Sequence, residues 1–240
     1  MTGDLAGQTV VLIGGSAGIG LETARRARAE GADVILTGRN AERLRTAADD
    51  VGARQTAAFD ANDSRELRAF FDGVAGTVDH VLVTAGGPSY RPLLEMDAED
   101  IRDALSGHVV LGLEVARSAM PKMRPGGSLI FMGGTGGRRI DHRLGIVPAA
   151  TAALPAFTAS LALEVAPIRV NLIAAGFVDT PLSATLLGDE LEHRREDLRR
   201  TLPIGRVVGP DDVAALAVHL MVNTALTGAT YDIDGGQQFT

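Results

Sequence analysis

Apolar runs of three to six residues alternate along the chain with longer stretches that mix Ala, Leu and charged residues. A short apolar run bounded by Gly, Asn or Asp predicts a strand buried in a sheet, whereas the longer stretches predict helices. The strands are predicted at residues 10–13, 34–36, 56–59, 81–83, 129–132, 169–174 and 229–233. Strands that alternate with helices of this length predict a parallel sheet covered on both faces, which is a doubly wound α/β fold of the Rossmann type.

The predicted helices cover residues 21–30, 41–51, 64–74, 98–123 and 148–165. Pro155 lies inside the last of these helices and is expected to kink it, because proline has no N–H to donate. The charged segment 188–200 is expected to be a helical part of a mobile flap around residues 181–208, near the carboxyl ends of the strands. A solvated surface helix is the alternative interpretation of this segment.

The composition fits one large domain. The chain has 240 residues, is 45% hydrophobic and shows no linker-like change of composition, so we expect one domain over residues 1–240. A formal net charge of -7 argues against nucleic acid or an anionic membrane as the main partner. No leader and no apolar run approaching a membrane span is recognised, and the chain has no cysteine, so we expect a cytoplasmic protein without a metal site.

The glycine-rich turn after the first strand is the strongest local signal. Gly14, Gly18 and Gly20 are spaced G-x-x-x-G-x-G and lead directly into a helix. Glycine allows a sharp turn and a close approach of the backbone to a ligand, and the helix N-terminus presents free N–H groups that suit a pyrophosphate. A plain helix-entry turn is the alternative for the loop taken alone.

Further motifs follow the loop in a fixed order. They are Asp60 after the third strand, Ala85-Gly86 after the fourth, the segments 160–164 and 168–171, then 176–181 and 233–236. With these motifs the chain resembles the short-chain dehydrogenase/reductase family over nearly its whole length. The resemblance implies a Rossmann-type fold, a nicotinamide cofactor and a small carbonyl or hydroxyl compound as the substrate.

The resemblance also implies which residues bind the cofactor. Asp60 would hold the adenine amino group, Ala85 and Gly86 would pack under the adenine ribose, and Gly176, Val178 and Thr180 would meet the nicotinamide end. The full predicted set is Gly14, Ser16, Gly18, Ile19, Gly20, Arg39, Asp60, Ala85, Gly86, Gly176, Val178 and Thr180. A turn-capping role is the alternative for Asp60, and 234–236 is interpreted as a C-terminal turn and subunit contact.

Arg39 indicates the choice of cofactor. An acidic residue at the end of the second strand would bind the ribose hydroxyls of NAD, and that position here is Gly38. Arg39 follows at once, and its guanidinium matches a 2′-phosphate with forked, charge-assisted hydrogen bonds. We therefore expect NADP(H), with a solvated surface arginine as the alternative.

The catalytic positions implied by the resemblance depart from the family pattern. Members of the family act through an Asn, a Ser and a Tyr-x-x-x-Lys pair. Counting from neighbouring motifs, the Tyr and Lys positions fall on Val147 and Thr151. The Ser position falls on Gly134 and the Asn position on His108, for which a packing role is the simpler interpretation. Because Val147 has no proton to give, ordinary catalysis would require a relocated proton donor.

Two residues are candidates for that donor. Thr135 offers a hydroxyl beside the lost Ser position, and His142 lies in the loop between the lost Ser and Tyr positions. Histidine titrates near neutral pH and suits an acid or a base. A turn or surface role is the alternative for both residues, and Tyr90 is interpreted as a loop anchor.

Three functions remain open at this point. The first is an NADP(H)-dependent oxidoreductase with a non-standard proton donor, which the retained cofactor motifs favour. The second is a catalytically inactive subunit that binds a nucleotide or a partner. The third is a non-redox enzyme of the isomerase or lyase type, since a fold does not fix its chemistry.

A small-residue surface suggests self-association. Six alanines recur in the helix after the fifth strand: Ala149, Ala150, Ala152, Ala153, Ala156 and Ala159. Small side chains let two helices approach closely, and relatives pair through helices in this region. We therefore expect a homo-oligomer, most simply a tetramer built from two-fold interfaces.

Overall fold

One parallel sheet brings the glycine loop and the predicted Ser position at Gly134 to the same edge. The structure is a computed structural model that describes residues 3–88, 90–138, 140 and 144–240. Within them, seven parallel strands form one sheet in the order β3-β2-β1-β4-β5-β6-β7. The strands are β1 Thr9–Ile13, β2 Asp33–Gly38, β3 Gln55–Ala58, β4 Val78–Val83, β5 Met123–Gly134, β6 Arg169–Ala175 and β7 Thr230–Ile233. The predicted doubly wound α/β fold is confirmed.

Helices cover both faces of the sheet. They are α1 Gly18–Ala29, α2 Ala41–Val51, α3 Ser64–Gly73, α4 Ala98–Ala119, α5 Val147–Ala152, α6 Leu154–Glu164, α7 Pro181–Leu187, α8 Leu191–Thr201 and α9 Pro210–Val222. Side chains alternate along β1: Val10 and Leu12 belong to the core with α1, α2 and α9, whereas Val11 and Ile13 belong to the core with α3, α4 and α6. This alternation explains why the buried strands read as continuous apolar runs.

Two sequence-based predictions about helix bounds are corrected. The helix predicted to reach residue 123 ends at Ala119, and Met123 already belongs to β5. The helix α9 was not predicted, although Pro210 in its first turn and the two acidic residues that follow are typical of a helix start. Arg169 anchors the far end of α9 by donating hydrogen bonds to the carbonyls of Leu220 (2.6 Å) and Met221 (2.7 Å).

The break expected at Pro155 is present. The predicted helix 148–165 is divided into α5 and α6, with Ala153 between them. Proline in the first turn of α6 needs no N–H partner there, so the break places it where it costs least. By length and composition alone, the span Val147–Glu164 is apolar enough to cross a membrane, which corrects the prediction that no such run exists. That is weak evidence, because Leu154 and Leu161 pack in the core of the domain.

His80 on β4 is buried and links three segments of the chain. Its ring nitrogens are 2.8 Å from the Ser128 hydroxyl and 2.6 Å from the Gln8 side-chain oxygen. Burial, and to a lesser extent the positive charge of Arg169, lowers the pKa of His80 to about 3. The imidazole is therefore neutral at physiological pH and joins β4 to β5 and to the segment before β1.

Candidate cofactor and substrate site

The glycine loop connects β1 directly to α1 and leaves no space for a side chain at Gly14 or Gly20. Gly14 and Gly18 have φ angles of 102° and 53°, which glycine adopts without strain. A Cβ at Gly20 would collide with the carbonyl oxygen of Gly14 and would lie 2.8 Å from Oγ1 of Thr84. Gly14 and Gly20 are therefore required by the close approach of α1 to the ends of β1 and β4, and Gly18 by its positive φ.

Thr84 fixes the neighbouring edge of the loop. Its hydroxyl donates to the carbonyl of Gly14 at 3.0 Å, and the Ala85 N–H donates to the carbonyl of Ile13 at 2.9 Å. The ends of β1 and β4 are thus held together at the strand order's switch point, where ligands bind in open parallel sheets.

A cavity of about 250 Å³ opens at this edge of the sheet. Six of the predicted cofactor residues line it: Ile19, Ala85, Gly86, Gly176, Val178 and Thr180. They come from three separate segments of the chain, which the sheet topology brings together. We name this space the cofactor cavity.

At the other end of the loop, two arginines lie near the predicted phosphate position. Arg39 is exposed and forms no hydrogen bond or ion pair with another described residue. Arg43 on α2, which sequence reasoning missed, donates from Nε to the buried Ser16 hydroxyl at 3.4 Å. Its spacing of four residues from Arg39 was the available signal, since α2 begins between them.

Asp60 occupies a turn after β3. Its carboxylate accepts hydrogen bonds from the backbone N–H and the side-chain amide of Asn62, both at 3.0 Å. The turn-capping role given as the alternative is therefore observed, and contact with the adenine stays a prediction.

A second cavity of about 360 Å³ adjoins the cofactor cavity. Both are lined by Gly134, Val147, Gly176 and Phe177, so the two spaces meet at the predicted catalytic positions. The walls of the second space are mostly apolar, and of the described residues that line it only Arg194 carries a charge. We name it the substrate cavity.

The predicted Tyr and Lys positions lie on α5 at this junction and offer no proton to it. Val147 is apolar, and the Thr151 hydroxyl donates to the carbonyls of Val147 (2.9 Å) and Pro148 (3.3 Å) in its own helix. At Gly134 the backbone is extended, and an added Cβ would meet nothing closer than 3.5 Å. The position therefore has room for a serine that the sequence does not supply.

Other polar groups line the cavities. Thr135 is buried in the wall of the substrate cavity, whereas His142 lies outside the described residues. His108 on α4 lines the cofactor cavity, and burial lowers its pKa, which favours the neutral imidazole. Tyr90 lines both cavities, and burial raises the pKa of its hydroxyl although its ring is about half exposed. The sequence predicts only a packing role for His108, whereas the structure also places it in the wall of the cofactor cavity.

The predicted flap is formed by α7 and α8 and is joined at its base. Val178 and Val208 form a parallel β-bridge, which brings the two ends of the flap together. Asp179 accepts two hydrogen bonds from Arg195 of α8, at 2.7 and 2.9 Å. Arg195 of the charged segment therefore forms a forked ion pair with Asp179, next to the cavity-lining residues Val178 and Thr180. Mobility of the flap stays a prediction.

The C-terminal segment also contributes to the site, which sequence reasoning missed. Asp234 is buried and accepts hydrogen bonds from the N–H groups of Gly236 (2.8 Å) and Gln238 (3.0 Å). The turn places Gln237 in the substrate cavity wall, where its side-chain oxygen accepts from the Phe177 N–H at 2.8 Å. The interpretation of 234–236 as a turn is thus confirmed, but the turn also shapes the cavity. Among the described residues no cluster of three or more His, Asp or Glu could hold a metal ion.

The geometry can be set beside known proteins. The family model for enoyl-(acyl carrier protein) reductase matches residues 14–238. Carbonyl reductase family member 4 of Xenopus laevis is 30% identical over 234 residues, which cover 95% of this chain and 96% of that protein. The chain belongs to the short-chain dehydrogenase/reductase family. Both the family and the fold predicted from the sequence are confirmed for this short-chain dehydrogenase/reductase.

Two further matches to this short-chain dehydrogenase/reductase bear on cofactor and chemistry. The NADP-dependent (R)-specific alcohol dehydrogenase of Lentilactobacillus kefiri is 31% identical over 253 residues, covering 98% of each chain. The MalC reductase/Diels-Alderase of Malbranchea aurantiaca has a TM-score of 0.92 at 25% identity, covering 99% of this chain and 98% of that one. The same fold therefore occurs in a protein named for a reduction and a cycloaddition.

Proposed function

We propose that the protein is an NADP(H)-dependent oxidoreductase that acts on a small carbonyl or hydroxyl compound with a non-standard proton donor. The observation that carries this proposal is the meeting of two cavities at Val147. One cavity has the steric features of a dinucleotide site, and the other is an apolar space for a small molecule. The chain belongs to a family of oxidoreductases, which supports redox chemistry.

The residues present fit a dinucleotide phosphate. The loop has no room for a Cβ at Gly14 or Gly20, and its backbone N–H groups at the start of α1 suit a pyrophosphate. Arg39 and Arg43 would hold a 2′-phosphate next to Ser16. When bound, the nicotinamide would exchange a hydride with the substrate, and this chain would position it through Gly176, Val178 and Thr180.

Cofactor titration by calorimetry tests this half of the proposal. NADPH is expected to bind more tightly than NADH, and Arg39→Ala is expected to cost about 1.5–3 kcal/mol of NADPH binding, the range for a hydrogen bond to a charged group. Arg45→Ala is the matched control, since Arg45 is an exposed arginine on α2, the helix that follows Arg39. Equal affinities for the two cofactors in the wild type would contradict the assignment.

The proton is assigned to the loop between β5 and α5. Thr135 lies buried beside the junction of the cavities, and His142 follows in the same loop. Each would deliver or accept a proton at the substrate oxygen, because Val147 cannot. Ordinary ketones and alcohols are expected to turn over little, and real activity depends on this loop or on the acidity of the substrate.

Steady-state assays over ketones, acyl thioesters and sugars test this assignment. Thr135→Val and His142→Ala are each compared with the wild type, and Thr135→Ser keeps the hydroxyl as a control. Loss of a general acid is expected to lower turnover by a factor of about 10²–10⁴. Fast carbonyl reduction that survives both substitutions would refute the relocated donor.

Two alternatives remain open as outcomes of the same experiment. NADPH binding without turnover of any substrate would favour a non-catalytic subunit. Conversion of a substrate without consumption of NADPH would favour non-redox chemistry, which the largely apolar substrate cavity and the name of the Malbranchea aurantiaca protein support. Mass spectrometry of the products distinguishes a change of two hydrogens from an isomerisation.

The proposal includes a homotetramer. Five alanines between residues 149 and 159 are exposed on one monomer. They are Ala149 and Ala152 of α5, Ala153 between the helices, and Ala156 and Ala159 of α6. Ala150 is buried instead, so it cannot belong to such a contact. Sedimentation is expected to show a species about four times the mass of one chain, and a concentration-independent monomer would refute it.

A further inference from the structure

Among the described residues that line the substrate cavity, one side chain is charged. Leu144, Leu186 and Leu187 supply apolar surface, and Tyr90 and Gln238 supply neutral polar groups. Among the described lining residues, Arg194 alone is ionised. A charged group in a mostly apolar ligand site commonly fixes the orientation and the class of the ligand.

The guanidinium of Arg194 is placed by several contacts. It lies 6.0 Å from the centre of the Phe177 ring, and Nη1 is 3.3 Å from a carboxylate oxygen of Asp197. Its charge acts on Tyr90, where it opposes the effect of burial on the pKa of the hydroxyl. The side chain is 28% exposed, so the charge is partly withdrawn from water and faces the same space as Tyr90.

Asp197, one of the partners of Arg194, also pairs with a second cation. Asp197 is also 2.9 Å from Nη2 of Arg200, which lies on the outer side of α8 and is 77% exposed. If an anion displaced Asp197 from Arg194, Asp197 would keep this second partner. Asp197 would therefore not become an uncompensated charge.

We infer that Arg194 binds the carboxylate of the substrate, and that the substrate is an apolar carbonyl or hydroxyl compound with a carboxylate at its far end. The inference rests on the proposed function in taking the second cavity as the substrate site. A guanidinium pairs with a carboxylate through two parallel hydrogen bonds, which a neutral amide cannot form as strongly. Because Arg194 and Val147 line the same cavity, a ligand that fills it meets both the anchor and the reacting position.

Binding of octanoate and octanamide by calorimetry tests the inference without any turnover. The wild type is expected to bind octanoate about 10–100-fold more tightly than octanamide, the range for a charge-assisted hydrogen bond. Arg194→Gln is expected to abolish this preference, and Arg194→Lys to retain part of it because the charge remains. Octyl phosphate is a further probe, and a preference for it over octanoate would overturn the assignment to a carboxylate.

Arg200→Gln is the matched control. Arg200 shares Asp197 with Arg194 and lies on the same helix but does not line the cavity, so its loss should leave the preference for octanoate intact. Equal binding of the two ligands to the wild type, or equal losses in the two glutamine variants, would overturn the inference. A melting curve checks the fold of each variant, and if Arg194→Gln does not fold, the Arg194→Lys variant carries the test.

The two proposals fail in different ways. Failure of NADPH to bind, measured separately, removes the proposed oxidoreductase and leaves the carboxylate preference standing as a ligand site. Failure of octanoate to bind selectively, with NADPH still bound, removes only the anchor at Arg194.

Discussion

The glycine loop and the side of the cofactor cavity formed by Gly134, Val147 and Thr151, which we call the α5 wall, differ in how tightly the fold constrains them. In the loop, side chains added at Gly14 or Gly20 would meet Thr84 within 2.7–2.8 Å. At the α5 wall, a side chain added at Gly134 has ordinary contact distances, and Val147 projects into open cavities. The loop is fixed by backbone packing, whereas the wall is free to vary.

This difference explains why the two regions follow the family resemblance to different degrees. A residue that allows two elements to approach is required for folding as well as for function, so its replacement costs stability. A catalytic side chain in a cavity supports little of the structure. Its loss lowers activity but leaves stability almost unchanged. A retained glycine loop is therefore weaker support for catalysis than a retained Tyr-Lys pair would be.

The largest effect is expected from rebuilding the wall. The triple variant Gly134→Ser, Val147→Tyr and Thr151→Lys places the family's groups at three positions that line the cofactor cavity. If the cofactor site is intact, ketone reduction should rise by a factor of about 10²–10⁴, the contribution of a positioned general acid. The control is the same triple variant with Val147→Phe in place of Val147→Tyr, because phenylalanine fills the same space but has no hydroxyl to donate a proton. NADPH consumption in steady state measures both, and equal rates in the two variants would contradict the prediction.

A smaller but still large effect is expected from Gly20→Ala in the loop. The new Cβ has backbone atoms in its way, so α1 must move, at a cost of about 3 kcal/mol of the free energy of unfolding. Gly73→Ala in α3 is the control, since nothing lies within 4 Å of that position and alanine is a better helix former. Urea denaturation measures both changes. Equal stability of the two variants would show that the loop is not constrained as described.

Acid should lower the free energy of unfolding through His80 on β4. This strand supports both regions, because it pairs with β1 on one side and with β5 on the other. The pKa of His80 is about 3 in the folded chain and about 6.5 in the unfolded one, so the unfolded chain binds more protons between these values. Stability from this group is complete above pH 6.5 and is lost as the pH falls, by about 2 kcal/mol between pH 7.5 and 5.

Urea denaturation across pH 4–8 measures this dependence. His80→Gln should remove close to one proton from the pH slope of the free energy of unfolding, whatever its effect on stability at neutral pH. An unchanged slope in the variant would show that His80 is not held neutral by burial.

The smallest effects compare two threonines. Thr84→Val removes a hydroxyl that joins two strands' ends, and should cost about 1 kcal/mol of stability together with some NADPH affinity. Thr151→Val removes a hydroxyl that bonds only within its own helix, so the cost should be less than half of that. Thermal unfolding of both variants, with Thr84→Ser as a control, measures the difference. A larger loss at Thr151 would reverse the comparison.

The sheet, most helices and the glycine loop could be predicted from the sequence because their causes are local. An apolar run bounded by turn residues identifies a strand, and proline at position 155 marks the break between α5 and α6 wherever the helix packs. The missed helix α9 carried the same kind of local signal in Gly209 and Pro210.

The rest of the candidate site depends on distant segments that meet only in three dimensions. Arg43 reaches Ser16 from α2, and Gln237 reaches Phe177 from the far end of the chain. Arg194 lies in the charged segment that the sequence predicts as a helix. That its side chain lines the substrate cavity depends on how α7 and α8 pack against the sheet. Such contacts leave no periodic or spacing signal, so they required the structure.

The β-bridge between Val178 and Val208 has a consequence for how such a protein can diversify. It makes α7 and α8 an insert whose two ends are neighbours, and the cost of closing an insert changes only slowly with its length. Shorter, longer or wholly different inserts can therefore be exchanged at this point without changing the strands beneath. Substrate preference can then evolve through one exchangeable piece of chain, while the dinucleotide edge of the sheet keeps its inherited shape.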